Sequence, residues 1–141
     1  MDLDPDNFVI FGSGPLLAHG LRRRVGGLDT VACGRTWEHV RGLGVRTVVP
    51  PSGTEMIQLW HGLIEVSPEW ITPRWDANEL IDQADVIDGL RFARLEQVLA
   101  YKRLLRRPKD LRDITVLEAA LGRDRVAGKP DRPNPNTRAT V

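Results

Sequence analysis

The segment from Phe8 to Ala32 limits the fold more than any other. The apolar run FVIF meets Gly12-Ser13-Gly14, a segment with helical spacing follows, then a basic patch, then Asp29 inside a second apolar run, LDTVA. A glycine turn between an extended run and a helix gives the backbone an abrupt reversal, and it lets an oxyanion come close to main-chain N–H groups. A carboxylate on an adjacent strand suits the magnesium that accompanies a phosphate. One carboxylate is too few for such a site, so either the rest of the chain supplies others or the site is weak.

The remaining elements follow from periodicity and turn residues. Phe8 to Phe11 reads as a short strand or the start of the first helix. Pro15 suits a first helical turn, and Leu16, Leu17 and Leu21 fall on one face after it. Gly26-Gly27 marks a tight turn before the strand Leu28 to Cys33, on which Asp29, Val31 and Cys33 share a face. Arg35 to Gly42 predicts a helix with Trp37 and Val40 inward. Val45 to Val49 predicts a strand, and Met56 to Trp60 and Leu63 to Ser67 a hairpin turning at His61-Gly62. SPEWITPRWDAN reads as irregular. Asp76 or Thr72 is placed to cap a short helix over Asn78 to Gln83, and DVIDGLRF turns at Asp88-Gly89. Arg94 to Leu105 carries the clearest apolar stripe, Leu95, Val98, Leu99 and Leu105. Pro108 separates it from a last helix striped by Leu111, Ile114, Leu117 and Leu121. The expectation is one α/β domain over residues 1–121, more narrowly α+β, a small mixed sheet with flanking helices. The Pro-, Gly- and Arg-rich tail 122–141 is expected to be disordered.

A chain of 141 residues has room for one such core. Twenty basic residues balance nineteen acidic ones, so net charge names no partner and any nucleic-acid surface must be a local patch. With Cys33 as the single cysteine, an intrachain disulfide and a cysteine-rich zinc site are excluded. No apolar run reaches the length of a membrane span, and the start MDLDPDN is unlike a signal peptide. The expected compartment is the cytoplasm.

Few residues carry chemistry. Asp29 and Glu65 each stand mid-strand between apolar neighbours; they either face solvent from a half-exposed sheet or hold a magnesium ion against a triphosphate. Lys102 interrupts the apolar stripe of its helix, so it either snorkels to an edge or reaches an anion. Asp110 and Asp113 suit the positive end of the last helix, with Lys109 and Asp113 at i,i+4 spacing. His19, His39 and His61 lack ligand spacing, and Ser13 lacks a nucleophile-elbow context.

Taken together, FGSGPLLAHGLRRRVGGLDTVA, GLIEVS and LEQVLAYKRLLRRPKDLRDITVLEAAL resemble the nucleotidyltransferase fold, and among its members the minimal abortive-infection type of toxin nucleotidyltransferase. The resemblance spans roughly residues 8–121 and rests on order and spacing: a Gly-Ser turn, a carboxylate strand, a third carboxylate, a lysine helix and a K-D-x-x-D helix. It implies Mg²⁺-dependent transfer of a nucleoside monophosphate from a nucleoside triphosphate to a hydroxyl or phosphate acceptor, with a protein or tRNA as the acceptor's source. Gly12 and Ser13 would hold phosphates. Asp29 and Glu65 would be catalytic metal ligands, and Lys102 a catalytic lysine near the nucleotide. Lys109 would also face the nucleotide and forms the late motif with Asp110 and Asp113. The family's first carboxylate would stand at position 27, where this chain has Gly27. Asp2, Asp4 or Glu69 could reach in to replace it. The alternative is a degenerate member that binds a ligand or a protein, as in a toxin–antitoxin pair or a homodimer, with Trp70 and Trp75 as a contact surface. A third reading is RNA binding through Arg22 to Arg24 and Arg103, Arg106 and Arg107.

Overall fold

The computed structural model describes residues 3–49, 53–70 and 75–126. A 3-10 turn, Pro5–Asn7, leads into β1 (Phe8–Phe11), α1 (Gly14–Ala18) and β2 (Leu28–Ala32). Then come α2 (Gly34–Arg41), β3 (Val45–Val49), β4 (Thr54–Leu59), β5 (Ile64–Ser67), β6 (Glu69–Trp70) and β7 (Trp75–Asp76). The chain continues through α3 (Ala77–Gln83), β8 (Asp85–Ile87), β9 (Leu90–Phe92), α4 (Leu95–Leu105) and α5 (Pro108–Val126). Seven strands form one mixed sheet in the order β3-β4-β5-β2-β1-β9-β8, and β6 and β7 make a separate ladder. The architecture is α/β, of the α+β kind, with helices flanking a mixed sheet.

Register fixes what lies beside what. β1 and β2 are antiparallel with Phe11 opposite Asp29, and β2 and β5 are parallel with Asp29 opposite Glu65. Alternation along each strand then sorts side chains to two faces. On one face Val9, Phe11 and Val31 pack with Leu16 of α1, Leu80 of α3, Val98 of α4 and Leu117 of α5. On the other, Ala32, Ile57 and Val66 pack with Val40 of α2, with Trp37 and Phe8 at the margin. Asp29 belongs to the first face, beside the thicker helical layer.

The structure amends several sequence expectations. Phe8 to Phe11 is a strand. Leu17 is 40% exposed, because α1 is only one turn long and leaves Leu16 as its anchor in the core. The segment expected to be irregular contains the β6–β7 ladder, and Trp70 and Trp75 pack against the core, with Trp70 stacked 4.2 Å from the Phe11 ring. They therefore do not form an exposed contact surface. Leu111 is 49% exposed: the inward face of α5 runs through Asp110, Asp113, Ile114, Leu117 and Leu121 instead. Residues 122–126, expected in the tail, continue that helix, while 127–141, Asp2 and Thr72 lie outside the described residues. Among the described residues no helix is long and apolar enough to cross a membrane.

Asp76 does cap α3, its carboxylate accepting the Glu79 N–H at 2.8 Å. Asp76→Ala removes that bond from an exposed helix start. It is expected to cost about 1 kcal/mol, read as a lowered urea midpoint at unchanged slope.

Candidate functional site

A cavity of about 540 Å³ opens where the turn after β1, the strands β2 and β5, the end of α4 and the start of α5 meet. Gly12 and Ser13 line it from the turn, Asp29 and Glu65 from the sheet, Lys102 from α4 and Lys109 from α5. The structure thus brings these six candidates named from the sequence to one cavity.

Gly12 is held there by geometry. Its φ is +63°, a region that favours glycine, and a Cβ on it would lie 2.5 Å from Asp29 Oδ2. The turn backbone and the Asp29 carboxylate are thus pressed together. Ser13 does not cap α1 with its side chain; its Oγ instead accepts from Lys102 Nζ at 3.3 Å.

Lys102 neither snorkels nor stands alone. It is 3% exposed, with Nζ 3.1 Å from Asp113 Oδ2 and 3.5 Å from Asp110 Oδ1. α4 ends at Arg106 in the left-handed region, φ 44°, and this reversal folds the start of α5 back beside Lys102. Asp110, wholly buried, accepts Arg107 Nε at 2.7 Å, Arg107 Nη2 at 3.0 Å and the Arg107 backbone N–H at 3.0 Å. Burial works to raise its carboxyl, but the Arg107 hydrogen bonds and the charges of Arg107 and Lys102 outweigh burial and hold it below the usual value. Arg107 also donates to Tyr101 Oη at 2.7 Å, and Tyr101 meets Phe11 and Trp70 edge-on. Asp113 completes the network by accepting Arg22 at 3.3 Å.

These contacts correct the surface role expected of Asp110 and Asp113. They are counter-ions buried under the site, and Asp113 turns to Lys102 and Arg22. Tyr101, Arg107 and Arg22 were not singled out for this site from sequence. One signal for the aspartates was available: Asp110 shares the spacing of Ile114, Leu117 and Leu121, so it could be placed on the buried face opposite the misplaced lysine.

Asp29 and Glu65 differ from that network. Neither has a hydrogen bond or ion pair among the described residues. Burial pushes the Asp29 carboxyl above its ordinary value, only partly offset by Lys109, Lys102 and Arg107. Burial likewise raises Glu65, and the charge of Asp29 raises it further against the pull of Lys109. Glu69 lines the rim and accepts from Thr54 Oγ1 at 3.0 Å, whereas Asp4 accepts the Asp6 N–H at the surface. Among the described residues no group of three His, Cys, Asp or Glu side chains converges to hold a metal. At Gly27 an added Cβ would sit 3.0 Å from the Leu63 carbonyl oxygen. Comparison with family models, curated proteins and solved structures returned no match.

Asp110→Ala strands the buried Lys102 charge with one partner fewer and removes the fork for Arg107. It is expected to destabilise the fold by roughly 3 kcal/mol, measured by equilibrium unfolding. Asp29→Asn acts in the opposite sense. A raised carboxyl opposes folding once ionised. The cost is absent below the ordinary value of 3.8, grows up to the raised folded value, and is full above it. The variant should therefore melt higher than wild type at neutral pH, with the gain fading as pH falls through that window. An equal gain at all pH values would refute the assignment.

Proposed function

We propose that the chain is a Mg²⁺-dependent nucleotidyltransferase, moving a nucleoside monophosphate from a nucleoside triphosphate to an acceptor oxygen. The observation that carries this reading is the Asp29–Glu65 pair: directly in register on parallel strands, half-buried, and without partners among the described residues. Carboxylates one strand spacing apart, about 4.8 Å, repel, and a cation shared between them removes the repulsion. Both offer hard oxygen donors. Magnesium is usually held by one or two carboxylates, with waters and substrate phosphates completing its shell, so this pair fits one ion bound together with a triphosphate. Bound there, the ion would supply positive charge at the phosphates. The cavity also has the volume of a nucleotide site.

The chain's own groups have definite parts. The Gly12–Ser13 turn would hold phosphate oxygens. Lys102, beside Ser13 Oγ and locked by two aspartates, offsets charge that builds on the leaving oxygen. The acceptor oxygen forms a bond to the α-phosphorus as the bond to the α–β bridging oxygen breaks, and pyrophosphate departs with that electron pair. The acceptor's proton passes to solvent water as the new bond forms, because Glu65 is committed to the ion. Both the triphosphate and Mg²⁺ fit a cytoplasmic setting.

Gly27 favours a second reading, a degenerate scaffold that binds a ligand or partner without turnover. The family's first carboxylate is missing, and the Leu63 carbonyl crowds the place where a side chain would start. Calorimetry separates the two. The four nucleoside triphosphates are titrated with and without Mg²⁺ into wild type, Ser13→Ala, Asp29→Ala and Gly27→Asp. Wild type is expected to bind one nucleotide with Mg²⁺, and Asp29→Ala to weaken it at least about tenfold. Binding by Gly27→Asp alone would select the degenerate reading. Binding by neither would remove the nucleotide site assigned here, and with it the transferase reading.

A further inference from the structure

A second recess, of about 460 Å³, adjoins the first and shares Arg22, Lys109 and Asp113 with it. Its charged walls are completed by Arg23 and Arg24 from the loop after α1 and by Arg112 from α5. Asp113 is the single acidic residue in this lining, and its carboxylate is already taken by Lys102 and Arg22. Arg23, Arg24, Lys109 and Arg112 are exposed and make no ion pair among the described residues. Several other surface arginines are spent on carboxylates, Arg41 and Arg46 on Glu55, Arg91 on Asp6 and Arg103 on Glu118, while Arg35, Arg106 and Arg123, unpaired among the described residues, do not line this recess.

Like charges gathered around one recess repel, and a multivalent anion seated there turns that repulsion into binding. Guanidinium forks match phosphate oxygens bidentately. The first cavity is large enough for the nucleotide by itself; of the groups assigned to the nucleotide, Lys109 lines both cavities, while Gly12, Ser13 and Lys102 do not line the second recess. The second recess thus needs a different phosphate source. Among the described residues no aromatic side chain lines it, so they offer no platform for stacked bases.

We propose that this recess holds the phosphodiester backbone of a nucleic-acid strand, whose terminal hydroxyl enters the neighbouring cavity as the acceptor. The acceptor role rests on the transferase reading; the binding does not. Recognition runs through phosphates alone, so it tolerates any base sequence.

The test is fluorescence anisotropy with a short labelled single-stranded RNA, a matched DNA and a scrambled RNA, over a salt series, with inorganic pyrophosphate as competitor. The proteins are wild type and the triple variant Arg23→Ala/Arg24→Ala/Arg112→Ala, whose positions are exposed and outside the nucleotide cavity. Wild type should bind both RNAs alike. The triple variant should lose at least about tenfold at low salt, with the log–log salt slope shallower by about 2. Circular dichroism checks its fold, and magnesium–nucleotide binding should stay unchanged in it. RNA binding that is absent, insensitive to salt or unaltered in the variant overturns the proposal, as does pyrophosphate binding without any strand binding. Preference for DNA over RNA keeps the site and changes the strand. A chain that binds nucleotide but no strand refutes this inference alone; one that binds a strand but no nucleotide refutes the transferase reading alone.

Discussion

A buried lysine holds this site together. Lys102 sits in the apolar stripe of α4, 3% exposed, and a charge so placed is sustained only by partners brought to it. Asp110 and Asp113 come from α5, which can reach it because Arg106 reverses the chain through a left-handed residue. Ser13 comes from the turn after β1. One ammonium thus fixes the angle between two helices and ties both to the glycine turn. The network also has a direction. Arg107 grips Asp110 bidentately through Nε and Nη2 and reaches the Tyr101 hydroxyl, and the Tyr101 ring leans on Phe11 and Trp70. Polar order at the cavity wall is thereby propped by aromatic packing beneath it.

The sheet makes a separate contribution. Asp29 and Glu65 are neighbours because β2 and β5 run parallel in a register that pairs them, and a one-residue slip would send Glu65 to the opposite face. That register is secured by the apolar residues between them: Val31 and Val66 bury on opposite faces of the sheet. The positions of the two carboxylates are thus a by-product of hydrophobic alternation. Their chemistry is not: each is raised above its ordinary value, the nearby cations offset that only in part, and neither has a hydrogen bond or ion pair among the described residues.

The strand–turn–helix–strand unit, the hairpin turn at Asp88-Gly89 and the Asp76 cap were legible in the sequence because each depends on residues close together in the chain. The juxtaposition of Gly12, Ser13, Asp29, Glu65, Lys102 and Lys109 in one cavity was what the nucleotidyltransferase resemblance implied; their spacing alone left each with a bland alternative. What escaped were long-range electrostatic choices. The spacing of α5 admits a stripe beginning at Leu111 or at Asp110, and hydrophobicity selects the former. Only the presence of Lys102 across the helix pair makes the aspartate the better buried residue. Trp70 and Trp75 escaped for the same reason: an irregular segment gives no periodicity from which to tell an inward aromatic from an outward one, and the Phe11 ring decides it.

The carboxylates around the cavity fall into two classes, and the division bears on what the molecule can afford to lose. Asp110 and Asp113 are saturated by cations and stabilise the fold; they cannot turn to a ligand without exposing Lys102. Asp29 and Glu65 are unsatisfied, and a folded chain that keeps them so forgoes stability at neutral pH.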